Sequence, residues 1–237
     1  MAQCLPAHYH IRRAANGQEG LRLVEEQLPD LVITDVMMPV LDGLSMCEQL
    51  KANVATSHIP VLVMTAKAGQ DHQLAGLERG GDDYLIKPFH PQELRLRVGN
   101  LLLHQQRLRQ WLYQHFTQAT PPTESIPAPI DPFLAQLEQV LAGILVQPDY
   151  SVEQLAQAMG VSYHTLHRKL TALTGLTAGE LMRAYRLKKA VEWLSQGQPV
   201  GEVATRVGFE TLSYFAKCFK EQFGQSPSAF GAQRTSA

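Results

Sequence analysis

The chain has 237 residues, 45% of them hydrophobic and 18% charged, enough for two ordinary soluble domains, each with its own core. Its longest apolar runs, such as Leu101 to Leu103, fall far short of a membrane span, and no basic region followed by an apolar stretch opens the N-terminus, so neither a membrane segment nor a secretory leader is read. The net charge of −1 hides an asymmetry: Gly160 to the end holds ten Lys and Arg against five Glu, giving +5, whereas the remainder holds 11 against 17, giving −6.

A basic back half points to a polyanionic partner there. The three cysteines, Cys4, Cys47 and Cys218, are odd in number and far apart. They suit a reducing cytoplasm and suggest neither a disulfide framework nor a zinc site.

In chain order, short apolar runs at Leu31–Thr34, Ile59–Met64 and Tyr84–Ile86 suit buried parallel strands. Amphipathic stretches at Glu19–Gln27, Gly43–Lys51 and His72–Arg79 alternate with them, which argues for an open α/β sheet. A longer helix runs from Pro91 to about Phe116, with proline favourable in its first turn. Residues 117–130, TQATPPTESIPAPI, hold four prolines and read as a semi-rigid linker. Beyond it no strand signal remains. Helices are expected at Pro132–Val146, Val152–Met159, Tyr163–Thr174, Ala178–Ser195, Val200–Arg206, Thr211–Phe223 and Pro227–Phe230, punctuated by glycines. The domains are therefore 1–116, α/β, and 131–237, all-α, joined by 117–130.

The front half places Asp35 at the carboxyl end of a buried strand, the edge where open α/β sheets bind ligands. Thr65 ends the next apolar run and Lys87 follows the one after. A carboxylate, a hydroxyl and an ammonium thus converge on one edge, a set suited to forming and holding an acyl phosphate. The purely structural alternatives are a capping carboxylate, a β-branched strand residue and a solvated lysine before a turn.

The segments Asp35-Val-Met-Met-Pro39 with Asp42-Gly43, Met64-Thr65-Ala66-Lys67, and Asp82-Asp83-Tyr84 through Lys87-Pro88-Phe89 together resemble a response-regulator receiver domain, a flavodoxin-like fold. The resemblance implies Asp35 as phosphoacceptor from a histidine kinase or phosphorelay protein, Thr65 as switch hydroxyl, Tyr84 as switch aromatic and Lys87 as the phosphoryl-binding lysine. It also implies Mg²⁺. Here the sequence departs from the family: Tyr9 to Gly17 already matches the family's second strand and the turn after it, so the first strand, its acidic metal ligands and nearly all of the first helix have no counterpart. Asp35 and the Met37 carbonyl remain as ligands, an incomplete set for an ion that prefers octahedral oxygen coordination. A fragment of a longer receiver, a degenerate receiver kept for dimerisation, and a gap filled by a partner chain are all open explanations.

In the back half, Ala156, Gly160, Val161 and Leu166 supply the small residue, turn glycine and apolar anchor that a helix-turn-helix requires. Ala204, Gly208, Phe209 and Phe215 supply them again 48 residues later. The runs Ser162 to Leu170, Thr174-Gly175, Arg186 to Ala190, Val207-Gly208-Phe209, Tyr214 to Lys220 and Phe223-Gly224-Gln-Ser226-Pro227 resemble the AraC/XylS-type DNA-binding domain from about Asp131 to Phe230. One departure lies at Gly231, where the family often has a basic residue.

Recognition helices present their N-terminal residues to base edges in the major groove. Those are His164, His167 and Arg168 on the first helix and Ser213, Tyr214 and Lys217 on the second. Arg168 can donate a bidentate pair to guanine. Lys169 and Lys220 are expected on phosphates. Leu166, Leu170, Phe209, Phe215, Phe219 and Phe223 fall at helical spacing and read as core, and Lys188 and Lys189 read as a solvated face or phosphate contacts.

The expected function is a cytoplasmic, non-enzymatic, sequence-specific regulator of transcription in a phosphorelay, a homodimer on double-stranded DNA. Two alternatives stay open: a phosphorylation-independent DNA-binding protein whose receiver remnant only dimerises, and the C-terminal part of a hybrid sensor kinase.

Overall fold

The computed structural model describes residues 4–66, 80–120, 131–144 and 150–235. The helix expected at His72–Arg79, the end of the one expected at Pro132–Val146, and the proline-rich residues 121–130 lie outside them. Two compact units divide between Arg107 and Leu108.

The first unit alternates helices and strands: α1 (Gly17–Gln27), β1 (Val32–Asp35), α2 (Gly43–Ala52), β2 (Val61–Thr65), β3 (Asp83–Ile86) and the start of α3 (Pro91–Thr117). Asn16 begins α1 by accepting the Glu19 amide at 3.0 Å, and Asp42 begins α2 by accepting those of Leu44 and Ser45. Each satisfies amides that a helix start leaves without partners. The strands form a parallel sheet in the order β1-β2-β3, with Asp35 opposite Met64 and Thr65 opposite Ile86. Every residue of β2 is buried, as expected of a parallel strand covered on both faces. One face packs Val61, Val63 and Tyr84 on Leu21, Val24, Met46, Cys47 and Leu50. The other packs Leu62, Met64 and Leu85 on Leu94 and Val98.

Tyr9–Arg13, expected as a strand, forms none in the described sheet. A strand is held by a neighbour's backbone groups; this segment has no ladder, and residues 10–15 are exposed.

The second unit begins inside α3 and continues as α4 (Pro132–Ile144), α5 (Val152–Ala158), α6 (Tyr163–Thr174), α7 (Ala178–Ser195), α8 (Val200–Arg206), α9 (Leu212–Phe223) and α10 (Pro227–Thr235). The front domain was expected to run to 116. The units divide earlier because Leu112 and Phe116 are buried with Leu137, Leu141, Leu155, Leu166 and Leu170 in a core of the second unit. A second core gathers Leu194, Val203, Val207, Phe215, Phe219 and Phe230. Helix α7 serves both, giving Ala178, Leu181 and Met182 to the first and Leu187, Ala190, Val191 and Leu194 to the second. Ser151 and Thr177 start α5 and α7 with reciprocal capping boxes to Gln154 and Glu180.

Candidate phosphoacceptor edge and nucleic-acid interface

The carboxyl edge of the sheet brings Asp35 and Lys87 together. Lys87 Nζ is bonded directly to Asp35 Oδ2, while Asp35 Oδ1 accepts the Met37 amide at 3.3 Å. Both side chains are about one-third exposed. Glycine at position 43 is a steric need of this edge: a Cβ there would stand 2.1 Å from the Asp35 carbonyl oxygen. Thr65 closes β2 one residue beyond the partner of Asp35, and its carbonyl accepts the Lys87 amide at 2.7 Å. That bond fixes the start of the loop carrying the lysine.

Tyr84 is not brought to this edge. Its ring is 8% exposed in the core below α2, and its hydroxyl fills the space where a Cβ at Gly81 would sit, before β3 begins. Burial, with Cys47 and Asp82 nearby, pushes its pKa up to about 12.

The described donors at this edge are an incomplete set for Mg²⁺. Asp35 supplies one carboxylate, already paired with Lys87, and Met37 is a solvent-exposed residue of the following loop. Among the described residues no three His, Cys, Asp or Glu gather at one place.

The second unit repeats one turn. Between α5 and α6, Met159, Gly160 and Val161 donate to the carbonyls of Leu155, Gln157 and Ala156. Between α8 and α9, Val207, Gly208 and Phe209 donate to Val203, Thr205 and Ala204, the same three bonds 48 positions on. Gly160 and Gly208 take φ of 68° and 76°, the left-handed region where glycine is unstrained. Ser162 and Thr211 then cap α6 and α9, accepting the amides of Thr165 and Tyr214.

The N-terminal faces of both helices are open. On α6, Tyr163 and His164 are exposed, and His167 and Arg168 half-buried. On α9, Ser213, Tyr214, Lys217 and Lys220 are exposed.

Lys169 does not share that face, and the expectation of a phosphate contact there is corrected. Its side chain is 1% exposed, with Nζ 2.7 Å from Asp131 Oδ2 and 4.5 Å from the Phe133 ring centre. Burial lowers its pKa, and Asp131 opposes that shift. The signal was present in the spacing. Positions 166, 169, 170, 173 and 174 are the buried positions of α6, and the lysine stands on that stripe.

Lys188, expected on a solvated face or a phosphate, is bonded within the unit instead, and Arg186 had been given no role of its own. Lys188 Nζ donates to the His115 carbonyl at 2.6 Å, and Arg186 donates to the Gly208 carbonyl at 3.3 Å. Lys188 follows buried Leu181 and Ala184 at i+7 and i+4, a spacing that marks it as inward. Lys189 instead pairs with Glu192 at the surface.

Residues 1–99 match the model of the response regulator receiver domain, and residues 155–233 match that of a helix-turn-helix domain. The chain thus carries a response regulator receiver domain followed by an AraC-type helix-turn-helix domain. Over 223 residues it is 33% identical to histidine kinase P4 of Formosa agariphila, an alignment covering 94% of this chain and 16% of that protein. Over 94 residues it is 42% identical to the alkaline phosphatase synthesis transcriptional regulatory protein PhoP of Bacillus subtilis, covering 40% of this chain and 38% of the other. The chain thus spans well under half the length of either relative.

Among solved structures, the C-terminal domain of AraT, a response regulator from Geobacillus stearothermophilus, matches with 30% identity and a TM-score of 0.42, over 45% of this chain and 89% of that chain. The receiver domain of a sensor histidine kinase from Pseudomonas aeruginosa, with magnesium coordinated in its active-site cleft, matches with 32% identity and a TM-score of 0.37, over 40% and 77%. No helix among the described residues is long and apolar enough to cross a membrane.

Proposed function

We propose that this response regulator binds DNA sequence-specifically through two tandem helix-turn-helix units, α5–α6 and α8–α9, and regulates transcription as the output of a phosphorelay. The observation that carries the reading is the duplicated turn, which presents an exposed helix N-terminus at each of two places joined by α7. His164, His167 and Arg168 on α6, and Ser213, Tyr214 and Lys217 on α9, are the base-edge readers. Lys220 holds phosphate. In this reading the sheet unit acts as a receiver, and Asp35 accepts the phosphoryl group. A carboxylate oxygen attacks the phosphorus of a phosphohistidine, the imidazole leaves, and Lys87 exchanges its bond with Asp35 for one with the phosphoryl oxygens. Thr65 supplies a hydroxyl to the same group. A homodimer on repeated sites would convert the switch into affinity.

Footprinting of the full chain on duplexes enriched from a random-sequence pool tests the DNA half. Protection of two successive major-groove segments on one face supports it, and binding that never discriminates among sequences refutes it. Incubation with a small phosphodonor and Mg²⁺ tests the other half. A base-labile mass increase of one phosphoryl group, absent from Asp35→Asn, is expected.

The incomplete metal-donor set favours a second reading, DNA binding independent of phosphate, with the receiver unit serving only for pairing. No mass increase under those conditions, with DNA binding intact, selects it.

A further inference from the structure

The last turn of α3 touches both cores of the second unit. Leu112 and Phe116 are buried in the first, and Ala119, just beyond the helix, packs on the second. Two of the carbonyls that a helix end leaves without intrahelical partners are taken by side chains from elsewhere. The His115 carbonyl accepts Lys188 Nζ of α7 at 2.6 Å. The Thr117 carbonyl accepts Gln222 Nε2 of α9 at 2.9 Å, and the same amide lies 3.4 Å from the Ala184 carbonyl of α7. From the α4 side, Glu138 Oε1 stands 2.7 Å from His115 Nε2, and the imidazole stacks on Trp111 with ring centres 4.8 Å apart.

Helix α6 is built on the first core and α9 on the second. Helix α7 joins them, and one helix is a single axis about which two cores can turn. The end of α3 adds a tie beside that axis. It is bonded to the middle of α7 by Lys188 and to the carboxyl end of α9 by Gln222, and it is buried against α6's own core by Leu112 and Phe116.

We propose that the carboxyl end of α3 sets the separation and angle of the two reading helices, with Lys188 and Gln222 as positioning residues that touch no base. The inference rests on the tandem-reader reading. Affinity for two segments at once depends on the geometry between them, while affinity for one segment does not. These bonds therefore act on spacing preference rather than on the strength of either reader alone. They also give residues 108–117, which precede the matched helix-turn-helix segment, a part in sequence selection.

The test uses the full chain. Duplexes enriched by the wild type from a random-sequence pool are remade with one or two base pairs inserted between the protected segments, and as single-segment duplexes. Lys188→Met and Gln222→Met remove the bonds and keep the volume. Their combination is expected to lower affinity for the native spacing about tenfold, to flatten the penalty for insertion, and to leave single-segment binding within about twofold. Lys188→Arg, which can still donate to the carbonyl, is expected to restore the spacing preference.

A folded double variant that keeps the wild-type spacing preference overturns the proposal. Equal losses on single-segment and two-segment duplexes also overturn it. If the double variant does not fold, the same comparison on Gln222→Met alone decides. A wild type that enriches only single-segment sites, indifferent to what lies beside them, overturns the tandem-reader reading itself and this inference with it.

Discussion

Lys169 and Asp131 form a buried ion pair, 2.7 Å from nitrogen to oxygen, in which the lysine is 1% exposed and the aspartate 16%. Asp131 does double duty, because its other oxygen accepts the Phe133 amide at 2.9 Å and begins α4. The pair therefore pins the start of α4 to the inner face of α6, one residue from Arg168.

Removing one partner strands the other. Asp131→Ala leaves a buried ammonium without its counter-charge, and is expected to cost about 3–5 kcal/mol. Lys169→Met leaves the better-solvated partner behind and should cost less. The double variant should recover most of the loss, since an apolar replacement of a buried pair is often close to neutral. Urea unfolding of the four proteins measures this, and equal costs for the two single variants would contradict the asymmetry.

Arg168→Ala should weaken binding to an enriched site by roughly 1–3 kcal/mol while binding to random duplexes changes little. Lys220→Ala should weaken both alike and lower the salt slope by about 1. Equal losses on specific and random DNA from Arg168→Ala would assign the arginine to phosphate.

Cys47 is fully buried among apolar neighbours, and burial raises its thiol pKa from 9.0 to about 11. The unfolded thiol loses its proton first, so ionisation favours unfolding between the two values. The contribution to stability is complete below pH 9.0 and lost as pH rises towards about 11. Tyr84 has the same sign, with its loss beginning at 10.0. Denaturant midpoints of the wild type and Cys47→Ala from pH 8 to 11 should converge as alkalinity increases. Midpoints that run parallel would show that the thiol does not couple to folding.

Gly43→Ala drives a methyl group to 2.1 Å from the Asp35 carbonyl and 2.8 Å from Thr34 Oγ1. Backbone must move, at a cost of about 1–3 kcal/mol. Gly99, on an exposed face of α3 with nothing within 4 Å of a Cβ, provides the control. Its change to alanine should stabilise by about 0.5–1 kcal/mol. Opposite shifts in thermal midpoint are expected, and a common sign would refute the steric account.

The α/β alternation, the parallel strands and the helical second half were legible because hydrophobic period and glycine punctuation are local signals. Asp35 and Lys87 were legible as a pair because they close the first and third of three apolar runs, and the parallel order of the strands brings both to one edge. Tyr9–Arg13 reads as a strand by likeness to a family whose sheet has one more neighbour, and pairing is a non-local fact that residue type does not carry. Lys169 and Lys188 were misplaced for a different reason. Charge was weighed above position, although helical spacing puts both on inward stripes. Asp131 closes a run of prolines, and only packing shows that it is also paired with Lys169 of α6. The tie from Gln222 to Thr117 spans 105 positions and leaves no periodic trace.

The helix that starts in the sheet unit finishes as a wall of the other core, and this limits how the protein can be taken apart. A fragment beginning at Asp131 would shed Leu112 and Phe116 and open a hole the size of two large side chains, each such deletion worth about 2–5 kcal/mol. A graft of the helical half onto another domain would have to carry the chain from Leu108 onward. Modularity, in this chain, stops one helix short of the proline-rich stretch that advertises it.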